Sequence, residues 1–345
     1  MAARDAYLDN VKLVAIVLVV VAHAWTPYTP DSELAKTLYL FVFTFHMPAF
    51  IFVAGYFTRS WDGQPRRVKR LITRVLVPYL VFEAAYTRFF NTAGGRDEAL
   101  SLLDPWWATW FVLALFLWRL SAPVWRVLRR PVPIAVAISL LASLQPLGPA
   151  LDLDRVLQLL PFFVFGMAVR REHLDLLHRR AVRVAAAGVL AAALVVAGYA
   201  STRGMTEFFF WRSPRGHFDQ LGFAQWLGLR VGALACAVAA TAAFLALVPR
   251  RRSRLTALGE GTMYAYLLHG FVVKGAVFAG VHIGFAATTV AAALLALGLC
   301  SRPVRRVFRG VVEPDLRWLF RRPPPPLELD PPERRPALLG SNSSL

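Results

Sequence analysis

Asn10 to Trp25 reads N-V-K-L-V-A-I-V-L-V-V-V-A-H-A-W, an almost pure aliphatic run with Lys12 near one end and His23 near the other. The two polar residues are eleven positions apart. At about 100° per residue they return to within roughly 20° of one helix face, about 16 Å apart along the axis. Asp5 and Asp9 fall near that face if the helix extends backwards. Ionisable groups inside a membrane span are expensive. They normally face a bundle interior or a wet cavity, and they mark functional sites. The competing reading is a snorkelling lysine and a histidine at the outer interface.

Working outward, composition sets the class. Of 345 residues 57% are hydrophobic, the mean hydropathy is +0.49, and the apolar residues come in long runs. This predicts an all-α polytopic membrane protein, a bundle of about ten helices. The spans are expected near 11–27, 37–58, 73–91, 106–123, 132–147, 156–170, 182–201, 224–247, 262–281 and 284–301, with the fifth and sixth short. The net charge of +18 does not indicate nucleic acid, because the arginines sit in short clusters between apolar spans. The clusters (Arg66, Arg67, Lys69 and Arg70; Arg126 to Arg130; Arg170 to Arg183; Arg250 to Arg254; Arg302 to Arg309) all fall on one side if there are ten spans. The positive-inside rule then puts both termini in the cytoplasm, of a protein expected to be multi-pass in the plasma membrane. The first apolar run leads into Trp25 and Pro27 rather than a small-residue cleavage site, so it reads as a retained helix.

Residues 1–310 read as the membrane domain and 311–345 as a cytoplasmic proline-rich tail with little to bury. The external stretch 202–223 carries Phe208, Phe209, Phe210, Trp211, Arg212, Arg215 and His217. It suits a lid over a polar ligand or an interfacial aromatic belt. Cys236 and Cys300 form no C-x-x-C pair, and no metal site is expected.

Chemistry concentrates in a few positions. His46 lies in F-V-F-T-F-H-M-P-A-F, where Pro48 frees a carbonyl. It is either a core histidine bonded to that carbonyl or a second lining residue of the His23 cavity. Gly55 permits close packing. Glu83 is the only acid deep in an apolar span, so it needs a cationic or histidine partner, or stays protonated. His269 lies about two turns into the ninth span. Three intramembrane histidines and one carboxylate suggest acid–base chemistry. No G-x-S-x-G, H-E-x-x-H or G-x-x-x-x-G-K-[ST] occurs, which disfavours elbow hydrolases, zincins and P-loop enzymes.

Six stretches in order now carry a resemblance. They are L-D-N-V-K (Leu8 to Lys12, continuing to His23), F-H-M-P-A-F-I-F-V-A-G-Y-F (Phe45 to Phe57), K-R-L-I-T-R-V-L-V-P-Y-L (Lys69 to Leu80), W-F-V-L-A-L-F-L-W (Trp110 to Trp118), P-F-F-V-F-G-M-A-V-R (Pro161 to Arg170) and L-G-E-G-T-M-Y-A-Y-L-L-H (Leu258 to His269). The chain resembles the acyltransferase type 3 membrane proteins, in the branch similar to fucose 4-O-acetylases. Ala54 departs from the pattern, which usually has Ser before Gly55. The resemblance implies O-acylation, usually acetylation, of a carbohydrate hydroxyl in the cell envelope, with cytoplasmic acetyl-CoA as donor. It implies His23 as the catalytic histidine. Lys12, Arg70 and Arg74 are candidates for the donor phosphates, and His46, Glu83 and His269 for orienting the base or the acceptor. Expected partners are the lipid bilayer, acyl-CoA and a carbohydrate acceptor. The competing class is a transporter or flippase that uses the same charges as a substrate path.

Overall fold

A computed structural model describes residues 5–205, 215–218 and 220–320. All the regular structure of the described chain is helical, with no strand among the described residues. It divides into a unit ending at Asp315 and a second beginning at Leu316. Within the second, the described part is a short turn, Arg317–Leu319. Residues 206–214 of the aromatic stretch, read as a lid or an interfacial belt, and the tail beyond 320 lie outside the described residues.

The first unit begins with α1 (Ala6–Trp25), capped by the Asp5 carboxylate, which accepts the Tyr7 N–H at 3.0 Å. Next comes α2 (Glu33–Thr58), capped by Ser32, with Pro48 inside. The third element runs through α3 (Pro65–Leu71), a π-helical turn (Ile72–Leu76) and α4 (Val77–Ala93). Pro78 explains the turn. It offers no N–H to the Arg74 carbonyl, and the Val77 N–H bonds to Ile72 one residue further back than in an α-helix. There follow α5 (Trp110–Val127), α6 (Pro131–Ala142), α7 (Leu153–Gln158), α8 (Leu160–Ala168), α9 (Arg171–Leu176), α10 (Arg180–Thr202), α11 (Phe223–Leu247), α12 (Thr262–Phe278), α13 (Phe285–Leu299) and α14 (Arg302–Val312).

Each expected span coincides with helix, but only some of these helices are of membrane length. Five segments are long and apolar enough to cross by length and composition: Ala6–Tyr28, Glu33–Thr58, Trp110–Val127, Arg180–Thr202 and Phe223–Leu247. Counting one pair bent by 67° after Leu299 as a single span makes six. The fifth expected span is the 12-residue α6, about 18 Å long against a hydrocarbon core of about 30 Å. The sixth is broken into α7 and α8 at Leu159, two residues before Pro161. The fourth starts at Trp110 rather than 106, because Trp106 to Thr109 form a turn with Trp107 in the left-handed region (φ 42°).

α1 and α2 form the centre. α1 packs against α2, α12 and α13, and α2 packs against α8, α10 and α11. α10 lies outermost and exposes Val184, Val195, Val196 and Tyr199, the apolar surface expected of a helix facing lipid. The α2–α8 contact is set by two reciprocal glycines. A Cβ on Gly55 would strike the Phe163 carbonyl, and one on Gly166 would strike the Phe52 carbonyl. Small residues let backbones approach this closely in membrane helix pairs. Gly55→Ala is therefore expected to cost about 1–3 kcal/mol, read as a fall in thermal midpoint of the detergent-purified protein. Gly188→Ala on α10 faces open space and is the neutral control.

Candidate active site

His23 emerges from α1 onto the wall of a cavity of about 570 Å³ that it shares with His46, Tyr266, Arg155 and Lys274. Its ring centroid lies 4.5 Å from Trp107 and 5.3 Å from His269, and Trp107 lies 5.2 Å from His269. One helix from each end of the domain, α1 and α12, thus meets the α4–α5 turn at this point.

The tautomers of the two flanking histidines follow from their neighbours. Nδ1 of His269 sits 2.7 Å from the Tyr266 carbonyl and 3.1 Å from that of Ala265. A carbonyl only accepts, so Nδ1 carries the proton and Nε2 holds the lone pair. That Nε2 is buried without a hydrogen-bond partner among the described residues, an uncommon state for a buried polar atom. His46 donates from Nδ1 to the Val42 carbonyl at 2.7 Å. It is thus both carbonyl-bonded and cavity-lining. The carbonyl is not the one Pro48 frees, which is that of Thr44, four residues before the proline.

Glu83 has a different partner from those expected. It is 0% exposed, and no cation or histidine reaches it among the described residues. Both carboxylate oxygens accept the Trp106 N–H, at 3.0 and 3.1 Å, and Oε2 accepts the Thr109 hydroxyl at 2.5 Å. These bonds grip both ends of the turn that holds Trp107 in its left-handed conformation. The carboxylate stands behind the cavity wall rather than in it.

The three expected donor residues lie elsewhere. Lys12 pairs with the buried Asp9 carboxylate at 2.9 Å, and its Nζ lies 5.8 Å from the Phe57 ring centre. Arg70 and Arg74 are exposed, without an ion-pair partner among the described residues. The shared face of Lys12 and His23 therefore joins an ion pair at one end of α1 to the cavity at the other.

Three cavity residues were missed by sequence reasoning. Lys274, in F-V-V-K-G-A-V-F, has its Nζ 5.3 Å from the Trp107 ring. A cation inside an apolar helix is itself a signal. Arg155 pairs with Asp152 at 3.1 Å and lies over Trp110 at 4.9 Å. Trp107 carried no sequence signal at all. Gly270 leaves it space, since a Cβ there would strike both Trp107 and Tyr86. Of the aromatic stretch 202–223, Arg215 is described, with its guanidinium over Phe223 at 5.2 Å.

The site therefore combines an imidazole on a cavity wall, a second imidazole with an unused lone pair behind it, and two cations beside aromatic faces. Such an arrangement suits removal of a proton from a polar group held in the cavity. The chain is 26% identical to the nodulation protein NolL of Sinorhizobium fredii (strain NBRC 101917 / NGR234) over 298 residues, covering 79% of this chain and 78% of that protein. No solved structure matches the chain. A family model for type 3 acyltransferases, described as an acyltransferase domain, matches residues 5–301. That match takes in α1 to α13 and every residue of the cavity, so the chain belongs to this family of membrane acyltransferases.

Proposed function

We propose that this acyltransferase moves an acetyl group from acetyl-CoA to a hydroxyl of a carbohydrate in the cell envelope, with His23 as the base. The observation that carries the reading is His23 on the wall of a polar, aromatic-lined cavity. Cavities of this size and lining suit small polar ligands. The His23 ring accepts the proton of the acceptor hydroxyl while that oxygen attacks the thioester carbonyl. The C–O bond forms, the C–S bond breaks, and the proton passes to the departing thiolate. His46 and His269 orient the base and the acceptor. Glu83, through Trp106 and Thr109, positions the wall and takes no part in proton transfer. Lys12, Arg70 and Arg74 attract the donor phosphates from the basic side.

The same reading adopts ten crossings in the plasma membrane, both termini in the cytoplasm, with the donor entering from there and the acceptor from outside. Support comes from the arginine clusters. It also comes from the site, since Lys12 and the cavity occupy opposite ends of α1. The relation to fucose 4-O-acetylases is part of the proposal. Membranes incubated with radiolabelled acetyl-CoA and envelope glycans test it. Label on carbohydrate is expected, whereas movement of a polar substrate without acylation would favour a transporter.

Lys274 is assigned to the acceptor. Lys274→Ala is expected to raise the acceptor KM about tenfold or more, as for a lost charge-assisted hydrogen bond. The donor KM should stay as it is, and Lys274→Arg should recover part of the loss. An unchanged acceptor KM for the alanine variant removes Lys274 from the site.

A further inference from the structure

We propose that a cleft between α12 and α14 binds the phosphate groups of the acyl donor, an assignment that rests on the donor reading above. α14 places Arg302, Arg305, Arg306 and Arg309 at i, i+3, i+4 and i+7, one face of the helix. Val304, Val307, Phe308 and Val311 lie opposite, and the last three are exposed. The basic face lines a cleft of about 450 Å³ together with Tyr264, Glu260 and Glu313. Arg305 is held by Glu260 at 2.8 Å. The side chains of Arg302, Arg306 and Arg309 have neither ion pair nor hydrogen bond among the described residues. Four guanidiniums face two carboxylates here, and both carboxylates are already engaged, Glu260 by Arg305 and Glu313 by the Tyr264 hydroxyl.

Neighbouring like charges repel and attract a counter-anion. A planar fork with parallel N–H groups favours phosphate over a simple monovalent ion, because it can bind two oxygens at once. The position of the cleft also fits a donor. Tyr264 on its wall and His269 lie five residues apart on α12, a rise of about 7.5 Å, and His269 lies 5.3 Å from His23. A nucleotide anchored by its phosphates in this cleft would thus sit within reach of the histidines through an extended thioester-bearing arm. One other source offers the same phosphate chemistry. The exposed apolar face of α14 also suits a helix lying in the membrane interface, where anionic lipid headgroups gather.

The test uses the full chain in nanodiscs of phosphatidylcholine, titrated calorimetrically with adenosine 3′,5′-bisphosphate. The double variant Arg306→Ala/Arg309→Ala is expected to bind it at least tenfold more weakly than the parent. Its KM for acetyl-CoA should rise by a similar factor, with kcat within twofold. Arg130→Ala, in another basic cluster, is the control for general loss of positive charge. Equal nucleotide affinity in parent and double variant overturns the cleft assignment while leaving acetyl-CoA as donor. A variant that keeps nucleotide affinity but loses enrichment of phosphatidylglycerol in mixed nanodiscs also overturns it, in favour of a lipid site. A parent that neither binds the bisphosphate nor transfers acetyl from acetyl-CoA overturns the assignment and the donor reading together.

Discussion

His23→Ala is expected to lower acetyl transfer from labelled acetyl-CoA by a factor of about 10²–10⁴, the usual consequence of losing a general base. The loss should be larger if His23 also carries the acyl group during transfer. Stability should change little. The ring is only partly buried and makes no side-chain hydrogen bond among the described residues, while its carbonyl bond to the Thr26 hydroxyl at 2.7 Å survives the substitution. The thermal midpoint of the purified variant separates chemistry from folding. Its neighbours give the assay its contrast. His269 lies 5.3 Å away with an unused lone pair, and His46 lines the same cavity. Activity of the alanine variant within a few-fold of the parent would transfer the base role to one of these two.

The second large effect is expected at Glu83. Glu83→Ala removes the acceptor of the Trp106 N–H and of the Thr109 hydroxyl, and leaves a void at a fully buried position. Unsatisfied buried donors and an unfilled cavity together cost about 2–5 kcal/mol. Activity should fall with stability, because Trp107, held between the two bonded ends of the turn, lies against His23 and His269 with its ring tilted to both. Glu83→Gln distinguishes the possible roles. A glutamine keeps one acceptor for the Trp106 N–H and places an amide against the Thr109 hydroxyl, which can accept as well as donate. A positioning residue is therefore expected to recover most of its stability and turnover as glutamine. A residue that exchanges protons with substrate would stay as inactive in Glu83→Gln as in Glu83→Ala, and that result would return Glu83 to the reaction itself.

The two substitutions also separate what could be read along the chain from what could not. The face shared by Lys12 and His23 follows from helical period alone, since both lie on one continuous helix. The helical membrane class follows from runs of apolar residues, whose burial depends on composition more than on partners. Six ordered stretches carried the family, and a match over residues 5–301 agrees with them. The anomaly of Glu83 was also legible, because a carboxylate in an apolar span demands a partner wherever it lies.

Which partner it finds was a matter for tertiary structure. The groups that bind Glu83 are a backbone N–H and a hydroxyl 23 and 26 positions away, in a turn where the apolar pattern alone suggests the start of a span. Every N–H looks alike in sequence, so nothing local identifies the one left free by a turn. The pairing of His23 with His269 needs α1 and α12 to meet across most of the chain. Close backbone contacts at such positions as Gly259, where a Cβ would fall 2.5 Å from the Asp9 carbonyl, bring the end of the chain against α1. Lys274 and Arg155 enter the same cavity from two further elements. Periodicity tells which residues share a face of one helix. Which faces then enclose a common space is decided by packing between helices, where small residues and proline breaks set the approach.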